Sequence, residues 1–189
     1  MSVIRTLALT MFFALLLAPA LAADDILDAI EQARKSYQAG DLANTKQSLD
    51  LASQLIGQKN AESFALLLPN PLPGWKAERA QSSAVGAVMF GASVASRSYS
   101  NAKGDQLEVQ ITGDSGMVMQ FAMLLNNPQV AGAMGKLVRV GSQRAIQSSD
   151  GDINMVVANK FLVTVQGSAS ANDKFAYAQA VDITKLAKM

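Results

Sequence analysis

The 189-residue chain contains no cysteine and no histidine. Without cysteine it forms no disulfide bond, so its stability must come from a packed apolar core. The lack of histidine excludes a Ser-His-Asp mechanism and removes the commonest general base and the commonest zinc ligand. The net charge is only +1. This argues against a broad nucleic-acid or anionic-membrane surface, because either would need clustered positive charge.

Long apolar runs are also lacking, except near the N-terminus. There Arg5 precedes an apolar stretch at residues 7–17, Pro19 interrupts it, and the sequence ALA follows at 20–22. This order predicts a cleaved signal peptide at residues 1–22 and a periplasmic protein. An uncleaved anchor is the alternative, but the stretch is shorter than the roughly 20 residues that a membrane span requires. We therefore expect no membrane span after signal cleavage.

Prolines are few, and three of the five lie in LLLPNPLPG, a segment that cannot continue a helix. We predict a helical hairpin at 23–65, a proline-rich linker at 66–74 and an α+β sandwich domain at 75–189. The net charge of the chain changes from negative to positive near the same boundary. Residues 23–62 carry four basic and seven acidic side chains, whereas residues 63–189 carry eleven basic and eight acidic ones. Two parts of opposite net charge can dock on each other.

The hairpin is predicted from apolar residues that recur at helical spacing on both sides of Gly40 and Asp41. Gly40 suits a left-handed C-terminal cap, and Asp41 can cap the second helix. The phrase YQAGDLANTKQSLDLA at 37–52 resembles the helix-turn-helix of a tetratricopeptide unit, and a hairpin without repeat ancestry explains it equally well. The apolar positions are Ile26, Leu27, Ile30, Ala33 and Tyr37 in the first helix, and Leu42, Thr45, Leu49, Ala52, Leu55 and Ile56 in the second.

From Trp75 onward the period changes to that of strands. In QLEVQIT the apolar Leu107, Val109 and Ile111 alternate with polar residues, which predicts a strand with one buried face. A strand at 92–100 pairs with it, and a helix separates this pair from a second antiparallel set. That set occupies 136–149, 153–159 and 161–169, with a turn at 149–151, and a helix at 171–189 breaks near Asp182. The order predicts an α+β fold with an antiparallel sheet covered by helices.

This order, introduced by PNPLPGWKAE at 69–78, looks like the Mog1/PsbP-like sandwiches, which include several bacterial envelope proteins. The resemblance covers roughly Leu68 to Met189. It implies a terminal helix whose Leu186 lies over the sheet. It also implies an accessory or binding role, since that fold family shares no catalytic motif from which residues could be carried over. The Ala- and Ser-rich segment at 80–93 is expected to form a weak strand.

The tetrapeptide GDSG at 113–116 resembles the nucleophile loop of chymotrypsin-like proteases. No histidine is present to activate Ser115, so only a serine-lysine dyad would remain, and no lysine lies nearby in the sequence. The simpler interpretation is that Asp114 or Ser115 caps a helix that starts at Gly116. In the same way, DGD at 150–152 favours a hairpin turn over a calcium site, because too few oxygen ligands accompany it.

The helix that follows is apolar at eight of the nine positions from Met117 to Leu125. Thioethers can bind Cu(I), but of Met117, Met119 and Met123 only the last two share a helix face, so methionine as a core filler is the stronger account. We expect this helix to be buried on both sides, with its outer side covered by the hairpin, a protein partner or an apolar ligand. The candidate binding residues are Met117, Met119, Phe121, Met123, Leu124 and Trp75, where Trp75 either stacks on a ligand or plugs the core edge.

Three functional hypotheses follow. The first is a non-enzymatic envelope accessory protein that needs no cofactor and binds a protein partner through the hairpin or the apolar helix. The second is a carrier of a small apolar ligand or, less favoured, of copper. The third is an enzyme that uses a serine without histidine, with Ser115 as the candidate. The first is preferred, because residues that form surfaces and cores are plentiful and residues that perform chemistry are scarce.

Overall fold

A computed structural model describes residues 24–84, 92–113 and 116–189 of the chain. The predicted signal peptide at 1–22 and the middle of the Ala- and Ser-rich segment, 85–91, lie outside the described residues. The described helices are α1 (Asp25–Gln38), α2 (Leu42–Ala65), α3 (Gly116–Asn126), α4 (Pro128–Met134), α5 (Ala171–Ala180) and α6 (Ile183–Leu186). The described strands are β1 (Trp75–Ala77), β2 (Gln81–Ala84), β3 (Ser93–Asn101), β4 (Gln106–Gly113), β5 (Lys136–Val140), β6 (Gln143–Gln147), β7 (Ile153–Val157) and β8 (Phe161–Gly167).

The strands form one antiparallel sheet in the order β1-β3-β4-β8-β7-β6-β5, with β2 also paired to β3. The two predicted strand sets meet where β4 pairs with β8, for example at Val109 opposite Val165. The predicted α+β fold, an antiparallel sheet covered by helices with a helical hairpin at the N-terminus, is confirmed. Strands β5 and β1 lie at the two ends of this order.

The two faces of the sheet carry different cores. Alternate residues of the central strands, such as Val109 and Val163, are 0% exposed and pack in the main core with Phe64 of α2, Tyr177 of α5 and Leu186 of α6. The predicted placement of Leu186 over the sheet is therefore confirmed. A smaller second core lies on the opposite face. There α3 packs against the side chains of β6 and β7 that project away from the main core. Its buried members are Val118, Ala122, Leu125, Ala131, Ile146 and Val156.

The proline-rich segment is held against the main core by hydrogen bonds. The Tyr99 hydroxyl donates to the Pro69 carbonyl oxygen at 2.6 Å, and the Leu72 amide donates to the Tyr177 hydroxyl at 3.2 Å. Leu68 is buried in the main core. These contacts bring the end of α2 close to the sheet and fix where the hairpin leaves it.

The hairpin caps form where the sequence places them. Gly40 has a positive φ of 77°, and the Asp41 carboxylate accepts a hydrogen bond from the Asn44 amide at 3.0 Å. Of the apolar residues from which α1 was predicted, Ala33 is buried and Ile26 is half-buried, whereas Leu27, Ile30 and Tyr37 are exposed. The buried residues of α1 are Ala29, Ala33 and Ser36. Small side chains let the backbones of α1 and α2 approach closely, which leaves no room for larger residues between them.

Towards its C-terminal end, α2 packs on the sheet. A Cβ atom built on Gly57 would lie 3.2 Å from the Cβ atom of Ala84, and one on Gly113 would lie 2.7 Å from the ring of Phe64. Phe64 also makes an edge-to-face contact with Phe161, with ring centroids 5.5 Å apart. Glycine at these two positions therefore allows α2 to lie against β2 and β4.

A buried ion pair fixes α5 to the turn before β7. Lys174 is 1% exposed, and its Nζ atom donates to Asp152 Oδ1 and to the Asp150 carbonyl oxygen, each at 2.7 Å. Gly151 has a φ of 81°, as a tight turn requires. The segment 150–152 is thus the predicted turn, and the Asp152 carboxylate in it accepts a hydrogen bond from Lys174.

Candidate functional site

The helix α3 begins at Gly116 as predicted, while Asp114 and Ser115, its candidate caps, lie outside the described residues. The expectation that α3 is buried on both sides is wrong, because Met119 is 61% exposed and Met123 is 65% exposed. The hairpin does not cover this side, since α2 packs with Phe64 in the main core on the other face of the sheet. Met119 and Met123 share a helix face and lie in solvent.

The other predicted residues of α3 are divided between core and surface. Phe121 is half-buried and packs against the second core, and Leu124 is half-buried as well. The side chain of Met117 lies outside the described part of the structure. Trp75 is remote from this group, because it packs against the main core rather than the second one. The structure therefore brings together the α3 residues but does not bring Trp75 to them.

Trp75 has an aromatic partner inside the protein. Its ring lies edge-to-face with Tyr177 at a centroid distance of 5.4 Å, and Tyr177 in turn contacts Tyr99 at 4.5 Å. The tryptophan is half-buried at the start of β1, a strand at the edge of the sheet. This placement matches the expectation that it plugs the edge of the core.

Large exposed apolar side chains are most numerous on the hairpin. Leu42, Leu49 and Ile56 of α2 are exposed by 67%, 52% and 43%, and Ile30 and Tyr37 of α1 by 44% and 67%. Residues seven apart on a helix lie almost directly above one another. The three α2 residues therefore form one row, and the two α1 residues form a second row.

The two rows lie on the same side of the hairpin. In each helix the row is displaced in the same rotational sense from the small residues that contact the other helix, and in an antiparallel pair this places both rows on one face. The turn at Gly40 puts Tyr37 level with Leu42, and Ile30 level with Leu49. We call this surface, formed by Ile30, Tyr37, Leu42, Leu49 and Ile56, the hairpin apolar face.

Some charged residues of the hairpin form ion pairs along the helices. Arg34 Nη2 lies 2.7 Å from Glu31 Oε1, and Lys46 Nζ lies 2.5 Å from Asp50 Oδ2. The hydrogen bond from Arg34 lowers the pKa of the Glu31 carboxyl. Hydrogen bonds from Asn44 likewise lower the pKa of the Asp41 carboxyl. These carboxylates are ionised at neutral pH, so the hairpin keeps its excess of negative charge beside the apolar face.

The described residues contain no group of three or more acidic side chains placed to hold a metal ion. Ser115, the candidate nucleophile, lies outside the described residues. None of the described helices is both long and apolar enough to span a membrane.

Comparisons with known protein families, with curated proteins and with solved structures found no match for this chain.

The sequence indicated the hairpin as a binding element but not which of its residues are exposed. The signal that identifies the face is the seven-residue spacing of Leu42, Leu49 and Ile56, read together with the alanines at 29, 33 and 52. Alanine at the helix contact and large residues beside it make the large residues available to another molecule. A second group that the sequence did not single out, Arg139 and Arg144, lies at the far end of the sheet from β1.

Proposed function

We propose that this chain is an exported, non-enzymatic accessory protein of the cell envelope that binds a protein partner through the hairpin apolar face. The predicted signal peptide at residues 1–22 supports the periplasmic location. The resemblance to Mog1/PsbP-like sandwiches supports a binding role. The observation that carries the proposal is the single face on which five large apolar side chains are each more than 40% exposed. Contiguous apolar surface of this kind marks interaction sites in monomeric proteins.

The chemistry of the face defines the partner. Two parallel rows of apolar residues on neighbouring helices form a shallow groove, and an amphipathic helix fits such a groove with anchors at positions i, i+3, i+4 and i+7. The net charge of −3 on residues 23–62 favours basic residues at the edges of that helix. The partner is therefore an amphipathic helix with Lys or Arg on its flanks, and binding completes a three-helix packing arrangement.

The test replaces the α2 row and leaves the rest of the chain unchanged. The triple variant L42Q/L49Q/I56Q removes apolar contacts from residues that are already exposed, so each change should alter the free energy of unfolding by less than about 0.5 kcal/mol. Native mass spectrometry of the mature protein, purified gently from its own envelope, should show a partner with the wild type and not with the triple variant. Leu66, 86% exposed but outside the face, provides the control L66Q, which should retain the partner.

A carrier of a small apolar ligand is the second candidate. A cavity beside Leu125, at the end of α3, favours it. Copper transport has weaker support, since Met119 and Met123 share a face but the side chain of Met117 is not described. Native mass spectrometry distinguishes these functions, because a lipid or a copper ion adds a much smaller mass than a protein.

A further inference from the structure

A cavity between the C-terminal end of α3 and the strands β5 and β6 is lined by both apolar and charged residues. Its volume is about 390 Å³, and its lining residues are Leu125, Leu137, Val138, Arg139 and Arg144. Volumes of roughly 300–1,000 Å³ are typical of small-molecule sites. Three of these residues are apolar, and the other two are arginines.

The two arginines face each other across adjacent strands. Arg139 of β5 lies directly opposite Arg144 of β6. Directly opposed side chains in an antiparallel pair project from the same face, with Cβ atoms about 4.5–5.5 Å apart, and like charges in that position are destabilising. Both arginines are exposed.

No counter-charge is found for them within the described residues. Neither Arg139 nor Arg144 forms an ion pair there. The sequence around them is uniformly basic, since residues 115–149 contain Lys136, Arg139 and Arg144 and no aspartate or glutamate. An anion from outside the chain is the group that would relieve this repulsion.

We propose that this cavity binds an anionic amphiphile, a molecule with a carboxylate or phosphate head and a hydrocarbon tail. Guanidinium groups bind planar carboxylate and phosphate oxygens through paired hydrogen bonds. Leu137, which is 44% exposed, and Leu125 supply apolar surface for the first part of the tail. This site is on a different element from the hairpin apolar face, and the proposal does not depend on the proposed function.

Protection of the sheet edge explains only part of this arrangement. Basic side chains on an edge strand discourage pairing with another chain, and Lys136 and Arg139 on β5 would suffice for that. Arg144 belongs to β6, which is paired on both sides, and so has no edge to protect. Its position opposite Arg139, in the same cavity, is accounted for by an anionic ligand.

The test measures binding of decanoate to the mature protein by isothermal titration calorimetry, below the micelle-forming concentration. Acetate supplies the head without the tail, and decyl maltoside supplies the tail without the charge. The variant R139Q/R144Q removes both guanidinium groups. The control R79Q/K103Q removes two exposed positive charges elsewhere and gives the same net charge. Thermal melting of both variants confirms that they fold.

We expect decanoate to bind the wild type more tightly than acetate or decyl maltoside. R139Q/R144Q should weaken this binding roughly ten- to hundredfold, as expected for the loss of charge-assisted hydrogen bonds, and the control should change it less than about twofold. The proposal is overturned if R139Q/R144Q binds decanoate as tightly as the control.

A flotation assay with phosphatidylglycerol vesicles, and with phosphatidylcholine vesicles as the neutral comparison, identifies the source of the anion. Binding of free decanoate without vesicle binding indicates a soluble ligand. Vesicle binding that needs phosphatidylglycerol and both Arg139 and Arg144 indicates a lipid head group. If neither decanoate nor phosphatidylglycerol binds, the cavity is not a site for anionic amphiphiles.

Discussion

Lys174 shows how one buried charge is made compatible with the core. Its ammonium group is 1% exposed and is held by Asp152 and by the Asp150 carbonyl oxygen, each at 2.7 Å. Replacing Asp152 by asparagine would leave a buried cation with neutral acceptors only, the amide oxygen and the Asp150 carbonyl oxygen. Losing one partner of a buried pair is more destabilising than losing an exposed pair, because the remaining charge stays out of water.

We therefore predict that Asp152→Asn lowers the free energy of unfolding by roughly 1–3 kcal/mol. Asp152 is 30% exposed, and solvent screening keeps the value below that of a fully buried pair. Urea denaturation of the purified protein measures the change. Asp50→Asn is the matched control, because its partner Lys46 is 78% exposed and the loss should stay below about 0.5 kcal/mol. Equal effects of the two substitutions would show that Lys174 does not depend on Asp152.

Tyr99 makes the stability of the folded protein depend on pH in the alkaline range. Burial raises the pKa of Tyr99 to about 12, even though the neighbouring Arg97 favours the ionised form. The unfolded chain loses this proton near pH 10, whereas the folded chain retains it to about pH 12. Between these values the unfolded state binds fewer protons, so stability decreases as the pH rises. The contribution is fully present below pH 10 and is lost by about pH 12.

Tyr99→Phe should show a shallower alkaline decrease than the wild type. Near pH 7 the variant should be less stable by about 1 kcal/mol, the usual value of a lost hydrogen bond, because the hydroxyl no longer donates to Pro69. A difference of two pKa units corresponds to roughly 2–3 kcal/mol in full, and about half of it is lost by pH 11, so the gap should close or reverse at about that pH. Denaturant unfolding at pH 7, 9 and 11 measures this. A gap that stays constant across the series would contradict the assignment to Tyr99.

Among the elements, α2 can approach the sheet closely because residue 113 of β4 is a glycine and has no side chain. Gly113 lies where a Cβ atom would come within 2.7–2.8 Å of the Phe64 ring and 3.0 Å of Phe161. Both rings belong to the main core, so they cannot move without opening a gap elsewhere. The end of α2 therefore depends on glycine at this strand position.

Gly113→Ala should lower the free energy of unfolding by roughly 1–3 kcal/mol, the range for overpacking a core. Gly116, three residues further on, has no atom within 4 Å of an added Cβ, so Gly116→Ala is the control and should be neutral or slightly stabilising. Thermal unfolding followed by circular dichroism compares the two. If Gly113→Ala is also neutral, the contact between Phe64 and β4 is looser than the structure places it.

The elements also show which patterns in the sequence were sufficient to predict the buried face of a strand or helix. In β4 the alternation of Leu107, Val109 and Ile111 predicted the buried face, because a strand has only two faces. In α1, alanines and large apolar residues both recur at helical spacing, so periodicity alone could not decide which of them faces α2. The close approach of the helices selects Ala29 and Ala33, and this depends on packing between elements.

The sequence did not predict the candidate sites for the same reason, because they also depend on how the elements pack together. The outer side of α3 was expected to be covered because the sequence does not show on which face of the sheet the hairpin packs. The Arg139 and Arg144 pair depends on the strand register around the turn at residues 141–142. A shift of one residue would send their side chains to opposite faces. Caps and turns, such as Gly40 and Asp182, were predictable because they depend on local backbone conformation.

For the whole molecule, the hairpin and the sheet have separate roles. The C-terminal half of α2 belongs to the fold, because Ala61 and Phe64 are buried. The fully buried residues of α1, which are Ala29, Ala33 and Ser36, are all small. This division leaves the hairpin apolar face exposed while the sheet keeps its own core.

The measurement that tests this account most directly is site-specific photo-crosslinking in the living cell. A photoreactive residue replaces Leu49 at the centre of the hairpin apolar face, and a matched chain carries it at Leu66, which is exposed but lies outside the face. We predict that position 49, and not position 66, crosslinks to one envelope protein, through an amphipathic helix with basic flanks. Equal crosslinking at both positions, or none at position 49, would contradict a role of the hairpin in partner binding.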